Sequence, residues 1–470
     1  MIIHETQKSL KAIILLLLFS APAFAQQLQP APTFRLISSG YGAAALGMGG
    51  AFHAVANDLS AIYWNPAGVA QLPGLQIYAD YRYMSDSDED FSDEVFVNRF
   101  ESEQRLSIRG DQLQAISVSY AFQSKNFAIV PAFAWQRLSS TGPERALKDI
   151  AGVVEFTSRT TFFQSEGTYR EEFRDDEEEF TFGLSARASK KLLIGGTWSI
   201  LRNGPEQDLS GTFHDSFITP PVHTRTDLTL SQNYHEDRSG NYLKIGLLFV
   251  PQAGISIGGT VRFPYTISSD ISLLRTGPFV TEDSYRDDQG NITRVETTTG
   301  NLNLNVSAQS EIEVPMELAG GIAVRPSNSL LVTGSVVYSD YQETSRVISK
   351  SSDPSVIPNS TLLYPTLRPT ASQDSLLQWR AGTEYLLGRF GRGLVIRSGI
   401  FWDGQPATDA GGDRVYFKGY SFGAGLGVGS FRVDGTFVSE KGDIKLTPNS
   451  RNESTFKNRR WLFSLSYISI

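Results

Sequence analysis

No cysteine occurs anywhere in the chain. Its absence excludes a disulfide framework, a thiolate metal site and a cysteine-linked lipid anchor. Long apolar runs are nearly as scarce. Ala12–Phe19 (AIILLLLF) is the longest, well short of the ~20 residues a helical membrane span requires. Lys8 and Lys11 precede it and Ala23-Phe24-Ala25 follow it, which is the layout of a signal peptide. Residues 1–25 are therefore expected to be removed, leaving Gln26 as the mature start. Positive charge is also in deficit: 42 Lys and Arg against 50 Asp and Glu give a net charge of −8. That balance argues against a nucleic-acid partner, and nothing in it favours an anionic membrane surface.

What the chain does have is 42 Gly, 29 Phe and 18 Tyr. The mean hydropathy of −0.19 is that of a soluble protein. Glycine and aromatic enrichment behind a signal peptide nevertheless fits a transmembrane barrel, whose strands show apolar side chains to lipid on one face only. The competing class is a secreted β-sandwich or propeller.

Alternation and loop lengths separate these classes. Fourteen strands are expected, at 74–83, 111–123, 125–137, 178–189, 191–203, 240–250, 252–266, 309–325, 329–341, 375–387, 392–403, 415–428, 429–439 and 459–470. In the seventh, Ile255, Ile257, Val261 and Phe263 oppose Ser256, Gly258, Thr260 and Arg262. In the tenth, Leu377, Trp379, Ala381, Tyr385 and Leu387 oppose Gln378, Arg380, Gly382 and Glu384. In the thirteenth, Phe431, Val433 and Phe437 oppose Arg432, Asp434 and Thr436. Such period-2 patterns mean one apolar and one polar face. Short turns (QSKN, ASKK, VPQA, RPSN, GVGS) alternate with long links such as 84–110, 138–177, 204–239, 267–308 and 342–374. Short periplasmic turns opposite long external loops are an outer-membrane signature, and an even strand number lets the first and last strands pair and abolish the edges. The final strand carries Trp461, Phe463, Leu465 and Tyr467 on one face, as a C-terminal assembly signal would, although the chain ends in Ile470 and not in an aromatic.

Residues 34–72 do not read as a strand. Gly40, Gly42, Gly47, Gly49, Gly50 and Gly68 permit close backbone packing. Asp58 or Ser60 can cap a short helix, and Pro66 ends it, because the ring pushes Asn65 out of the α region. Phe52, Ile62, Tyr63, Trp64 and Val69 are too apolar for a solvated linker. The expected organisation is a signal peptide (1–25), an N-terminal hatch (26–72) and a transmembrane barrel (73–470).

The run from Ser38 through "GMGGAF" to "SAIYWNPAG" resembles the hatch of the FadL-type outer-membrane transporters of long-chain fatty acids and other hydrophobic compounds. "VPMELAGGIAVRPSNSLLVTGSVVYSDY" (314–341) and "GYSFGAGLGVGSFRVDGTF" (419–437) resemble hairpins of the same family. The resemblance implies a 14-stranded antiparallel barrel plugged by a partly helical hatch in the Gram-negative outer membrane. It also implies passive uptake of fatty acids or other hydrophobic molecules such as hydrocarbons, with lateral release into outer-membrane lipid at a kink in the third strand. Asn65, Pro66, Ala67 and Gly68 are then the hatch and gating residues, and Pro131 marks the lateral opening. Among the inward polar residues Asp80, Arg82, Arg262, Glu317, Arg380, Glu384, Arg397, Arg432 and Asp434, the arginines Arg262, Arg380 and Arg397 can pair a substrate carboxylate. Ion pairing within the wall is the competing role for each.

A monomer without cofactor or metal is expected, and no enzyme. Gly254-Ile255-Ser256-Ile257-Gly258 matches a nucleophile elbow, but its serine lies within a strand and no histidine follows it. Gly40-Tyr41-Gly42 lacks a βαβ context for dinucleotide binding. His214, His223 and His235 are irregularly spaced for a metal, and the acidic runs 85–94 and 174–180 read as solvated rather than as Ca²⁺ sites. The alternative function is that of a barrel scaffold or shuttle in a secretion or surface-assembly complex.

Overall fold

The computed structural model describes residues 40–469 except 86–88, 91–98, 109, 124–127, 139–144, 158–161, 176, 220, 288, 342–345, 353–374, 389–392, 409–412 and 445–453. The expected signal peptide and the start of the hatch lie outside the described residues.

Fourteen wall strands form a closed antiparallel barrel. They are β1 Leu75–Ser85, β2 Gly110–Tyr120, β3 Ala128–Arg137, β4 Glu178–Arg187, β5 Leu192–Arg202, β6 Val222–Gln252, β7 Ile255–Arg262, β8 Glu317–Val324, β9 Leu330–Asp340, β10 Ser375–Leu387, β11 Leu394–Thr408, β12 Arg414–Val428, β13 Phe431–Ile444 and β14 Ser454–Ile468. Each pairs with its chain neighbour, and β14 returns to β1 with Tyr467 opposite Ile77 and Phe463 opposite Tyr81. Closure leaves no unpaired wall edge, which hydrocarbon surroundings demand.

The period-2 pattern decides which face is which. On β6, Leu243, Ile245, Leu247 and Phe249 are 41–54% exposed, while Tyr242, Lys244 and Leu248 between them are buried. Trp379, Trp402, Phe422, Phe463 and Leu465 continue the exposed apolar belt on other strands. A continuous belt of this kind is far larger than a water-soluble monomer shows and matches a lipid-facing surface.

The long links are where the structure departs most from the sequence reading. Segments 138–177, 204–239 and 267–308, expected as loops, are largely strand: Arg145–Thr157, Phe162–Asp175, Pro205–Thr219, the first half of β6, Tyr265–Arg286 and Ile292–Val314. They extend the wall beyond the membrane as one sheet, in which β6 pairs with Pro205–Thr219 on one side and Tyr265–Arg286 on the other. β6 itself has 31 residues, roughly 100 Å at the usual strand rise. The strand expected over 309–325 is two. Residues up to Val314 belong to the tall sheet and β8 begins at Glu317, with Pro315, which has no N–H to give a ladder, between them.

Candidate functional site: the hatch and the wall around it

Residues 40–72 lie inside the barrel. α1 (Ala43–Gly47) and α2 (Ala61–Trp64) are single turns, followed by a 3-10 turn over Pro66–Gln71. Elements this short gain nothing from propensity, so the wall holds them. Tyr41, Ala43, Met48, Phe52, Leu59, Ile62, Trp64 and Val69 are all at most 3% exposed. Backbone groups that such short helices leave unpaired are met by wall side chains. Asp80 Oδ2 accepts from Gly42 N at 3.1 Å, and Thr436 Oγ1 donates to Ala43 O at 2.6 Å. Ser421 Oγ bridges Gly49 N and Gly47 O, and Thr333 and Ser256 hydroxyls donate to Ala51 O and Ala54 O. Ser256, the serine of the elbow-like motif, is thus a hatch anchor.

Asn65 is the hinge of this block. Its backbone is extended (φ −154°, ψ 101°), as a residue before proline must be. Its Oδ1 accepts from Ala67 N at 3.1 Å, capping the 3-10 turn, while its Nδ2 donates to His53 O at 2.8 Å and to the wall carbonyl of Leu247 at 2.9 Å. Pro66 O accepts from Ser185 Oγ of β4 at 2.6 Å. The wall opposite has no side chain to spare: a Cβ on Gly246 would lie 2.2 Å from Asn65 Oδ1, and one on Gly258 would lie 1.9 Å from His53 O. The expected helix caps differ from the structure. Ser60 occupies the cap of α2 in αR conformation, and its side chain makes no capping bond to the helix. Asp58 instead folds onto Ser60, accepting from its N at 2.9 Å and its Oγ at 2.5 Å.

Two cations grip the aromatic pair of α2. Lys244 Nζ donates to Tyr63 O at 2.8 Å and lies 4.9 Å from the centre of the Tyr63 ring. Arg380 sits 5.4 Å from the Trp64 ring. Trp64 also meets His53 edge-on at 5.7 Å. Burial pushes the His53 pKa down to about 3, assisted by Arg380 and Lys244. Burial raises that of Asp58, with Arg432 opposing the rise. Sequence reasoning passed over Lys244 and His53. The signal for Lys244 was present, since it alternates with Tyr242 and Gly246 on the inner face of a strand already recognised.

All three arginines singled out in the sequence are engaged by carboxylates. Arg262 is 3.4 Å from Glu317, and Arg380 is 3.0 Å from Asp403. Arg397 bridges Glu384 at 3.0 Å and Asp434 at 2.7 Å. Arg432 joins the same Asp434 at 2.8 Å. Pro131 lies mid-β3 on the lipid-facing side. The β2–β3 ladder runs from Ala115–Gln136 to Ser119–Ala132 and resumes at Phe122–Ile129 in unchanged register. The interval opposite Pro131 and Val130 is unpaired on that side, whereas β4 pairs through it, with Leu184 opposite Pro131. Behind the interval, Val130 and Ala134 pack against Ile62, Val69 and Leu72 of the hatch.

The histidines lie on strands of the tall sheet, not in a solvated loop, and do not converge. His214 contacts Asp227 at 2.6 Å, His235 contacts Glu206 at 2.9 Å, and His223 contacts Ser216 at 2.8 Å. No group of three metal-ligating side chains occurs among the described residues. Most of the acidic run 85–94 lies outside the described residues. In the second run, Glu179 is the second residue of β4 and is buried, accepting from Thr181 Oγ1 at 2.6 Å.

No protein-family model and no curated protein matches the chain. Solved structures do. The P. putida toluene transporter TodX aligns over 92% of this chain and 99% of its own, at 14% identity and a TM-score of 0.53. The Ralstonia pickettii toluene transporter TbuX covers the same shares at 12% identity and 0.52. A Pseudomonas aeruginosa FadL homologue does so at 11% identity and 0.50. This is the FadL-type barrel fold. The chain shares that fold, with the block of residues 40–72 inside its barrel.

Proposed function

We propose that this FadL-type barrel takes up hydrophobic small molecules passively from outside the cell and releases them sideways into outer-membrane lipid beside Pro131. The observation that carries the reading is a hatch packed with buried side chains across the lumen, set directly behind an unpaired interval of the β2–β3 ladder. A straight aqueous route meets the hatch, while the wall is weakest where hydrogen bonds are fewest. The toluene transporters that share the fold support an apolar cargo.

The physics suits that cargo. An apolar molecule gains ~0.8 kcal/mol per CH₂ moved from water into an apolar setting, so no energy source beyond its own partition is required. Proline at position 131 cannot supply the N–H that would close the ladder. The hatch residues Asn65, Pro66, Ala67 and Gly68 hold the block in place, and the barrel works as a monomer in lipid.

Vesicles containing the purified protein should take up toluene or a labelled fatty acid faster than protein-free vesicles. Pro131→Val, which restores a ladder donor, should slow entry several-fold while leaving heat-modifiable gel mobility intact. Equal entry with both proteins would refute lateral release.

A further inference from the structure

The outside of the wall at β12–β14 carries charges that uptake does not use. β6, β12 and β14 are even-numbered strands of an antiparallel wall and run in the same direction, so β12 and β14 begin at the end from which the tall sheet rises. Near that end, cross-strand register sets Lys418 of β12 opposite Lys441 of β13, and Lys441 opposite Lys457 of β14. Arg459 lies one step down the same face, opposite Ser439. All four cations are exposed. Beneath them come Tyr420, Phe437 and Trp461, the last two with ring centres 5.0 Å apart, and then the rest of the apolar belt.

Like charges directly opposite each other destabilise a sheet, and a chain with a net charge of −8 has acids enough to separate them. Among the described residues only Asp443 answers, 2.9 Å from Lys441. No carboxylate among the described residues lies within 4.0 Å of Lys418, Lys457 or Arg459. The same strands do pair charges on their inner face, where Arg460 has Glu440 at 3.5 Å. On other strands the exposed residues just above the belt are of mixed kind: Arg202 on β5, Asn241 on β6 and Asp340 on β9.

Two strand spacings separate Lys418 from Lys457, about 10 Å. Aromatic side chains such as those below them mark the boundary between hydrocarbon and headgroups. A cationic row at that depth meets lipid phosphate, and its width suits a headgroup that carries more than one. Lysine supplies point charges, and Arg459 a planar fork that matches phosphate oxygens. We propose that Lys418, Lys441, Lys457 and Arg459 form a site on the outside of the barrel for the bisphosphorylated headgroup of a glycolipid in the outward leaflet, of the chemical class of lipid A. Its acyl chains then lie along Tyr420, Phe422, Trp461 and Phe463. The site rests on the outer-membrane placement in the uptake reading and is independent of cargo and of lateral release.

Native mass spectrometry of the full-length protein in detergent can compare lipid A with the same lipid stripped of its phosphates. A chelator keeps divalent cations from bridging phosphate to Asp443. Lipid A should bind at least about tenfold more tightly than the stripped lipid, and the combined substitution Lys418→Gln, Lys441→Gln and Lys457→Gln should abolish that difference. Arg202→Gln, which removes an exposed cation on another strand, should preserve it. Heat-modifiable mobility verifies assembly of each variant. Equal binding of both lipids to the wild type, a triple variant that keeps the difference, or an equal loss in Arg202→Gln overturns the site. Displacement of lipid A by an equal concentration of inorganic pyrophosphate also overturns it, by assigning the row to a free phosphate compound. A protein that selects lipid A as expected yet brings no toluene into vesicles upholds the site and overturns the uptake reading instead.

Discussion

His53 illustrates how much a single buried side chain commits the hatch. It is 5% exposed, and its Nδ1 has no hydrogen-bond partner among the described residues. Its pKa is about 3 in place and 6.5 in a released or unfolded chain. A lowered folded pKa means the seated hatch binds fewer protons than the released one below pH 6.5. Stability of the seated state is therefore full above that pH and falls on acidification between 6.5 and about 3, by at most about 1.4 kcal/mol per pH unit. We expect the protease resistance of residues 40–72 in nanodiscs to drop from pH 7 to pH 5. His53→Leu, which removes the titrating group and an unpaired polar atom together, should flatten that profile. An identical profile in the variant would show that other groups control seating. At the same scale the arginines changed meaning. Each of Arg262, Arg380 and Arg397 was identifiable as inward-facing from alternation, but the carboxylates that hold them come from other strands.

At the scale of elements, the hatch and the wall are each incomplete without the other. Single-turn helices leave backbone groups that Asp80, Lys244, Thr333, Ser421 and Thr436 satisfy, and the wall leaves space at Gly246 that the Asn65 side chain and the Pro66 ring fill and at Gly258 that the His53 backbone fills. Gly258→Leu places side-chain atoms where His53 O now lies, with no flexible neighbour to yield. The expected result is an assembled barrel with a displaced hatch, seen as single-channel conductance to small ions well above wild type. A silent variant would mean that the hatch is not seated on β7 in the membrane. Sequence alone made the strands of the wall visible because lipid on one side and a polar interior on the other impose strict alternation. The tall sheet was not visible. Its outer face is water-exposed and its inner face mixes Gln207, Gln232, Arg275 and Ser310 with leucines, so no clean period-2 signal distinguishes it from a loop.

At the scale of the molecule, the barrel is a closed wall, a plug and an upward extension of the same sheet. Deleting residues 26–70 removes the plug but none of the wall pairs, because β1 begins at Leu75. We expect such a protein to reach the outer membrane in lower yield and to conduct small hydrophilic solutes better than the intact protein. Unchanged conductance would mean the lumen is blocked by something other than the hatch. Loss of yield has a physical basis, since the inward charges of Arg380 and Lys244 lose the aromatic and carbonyl partners that Trp64 and Tyr63 provide.

The sequence by itself determined the fourteen wall strands, their inward and outward faces, and the presence of a glycine-rich block ending at Asn65-Pro66, because each is written in local pattern and local steric rule. Only the tertiary structure decided which wall residues receive that block and which carboxylate neutralises which arginine. Those depend on contacts between residues far apart in the chain, from Arg397 with Asp434 to Thr436 with Ala43. No short window of sequence contains both partners; the pairing of successive strands brings the first pair together, and the seating of the N-terminal block inside the barrel brings the second.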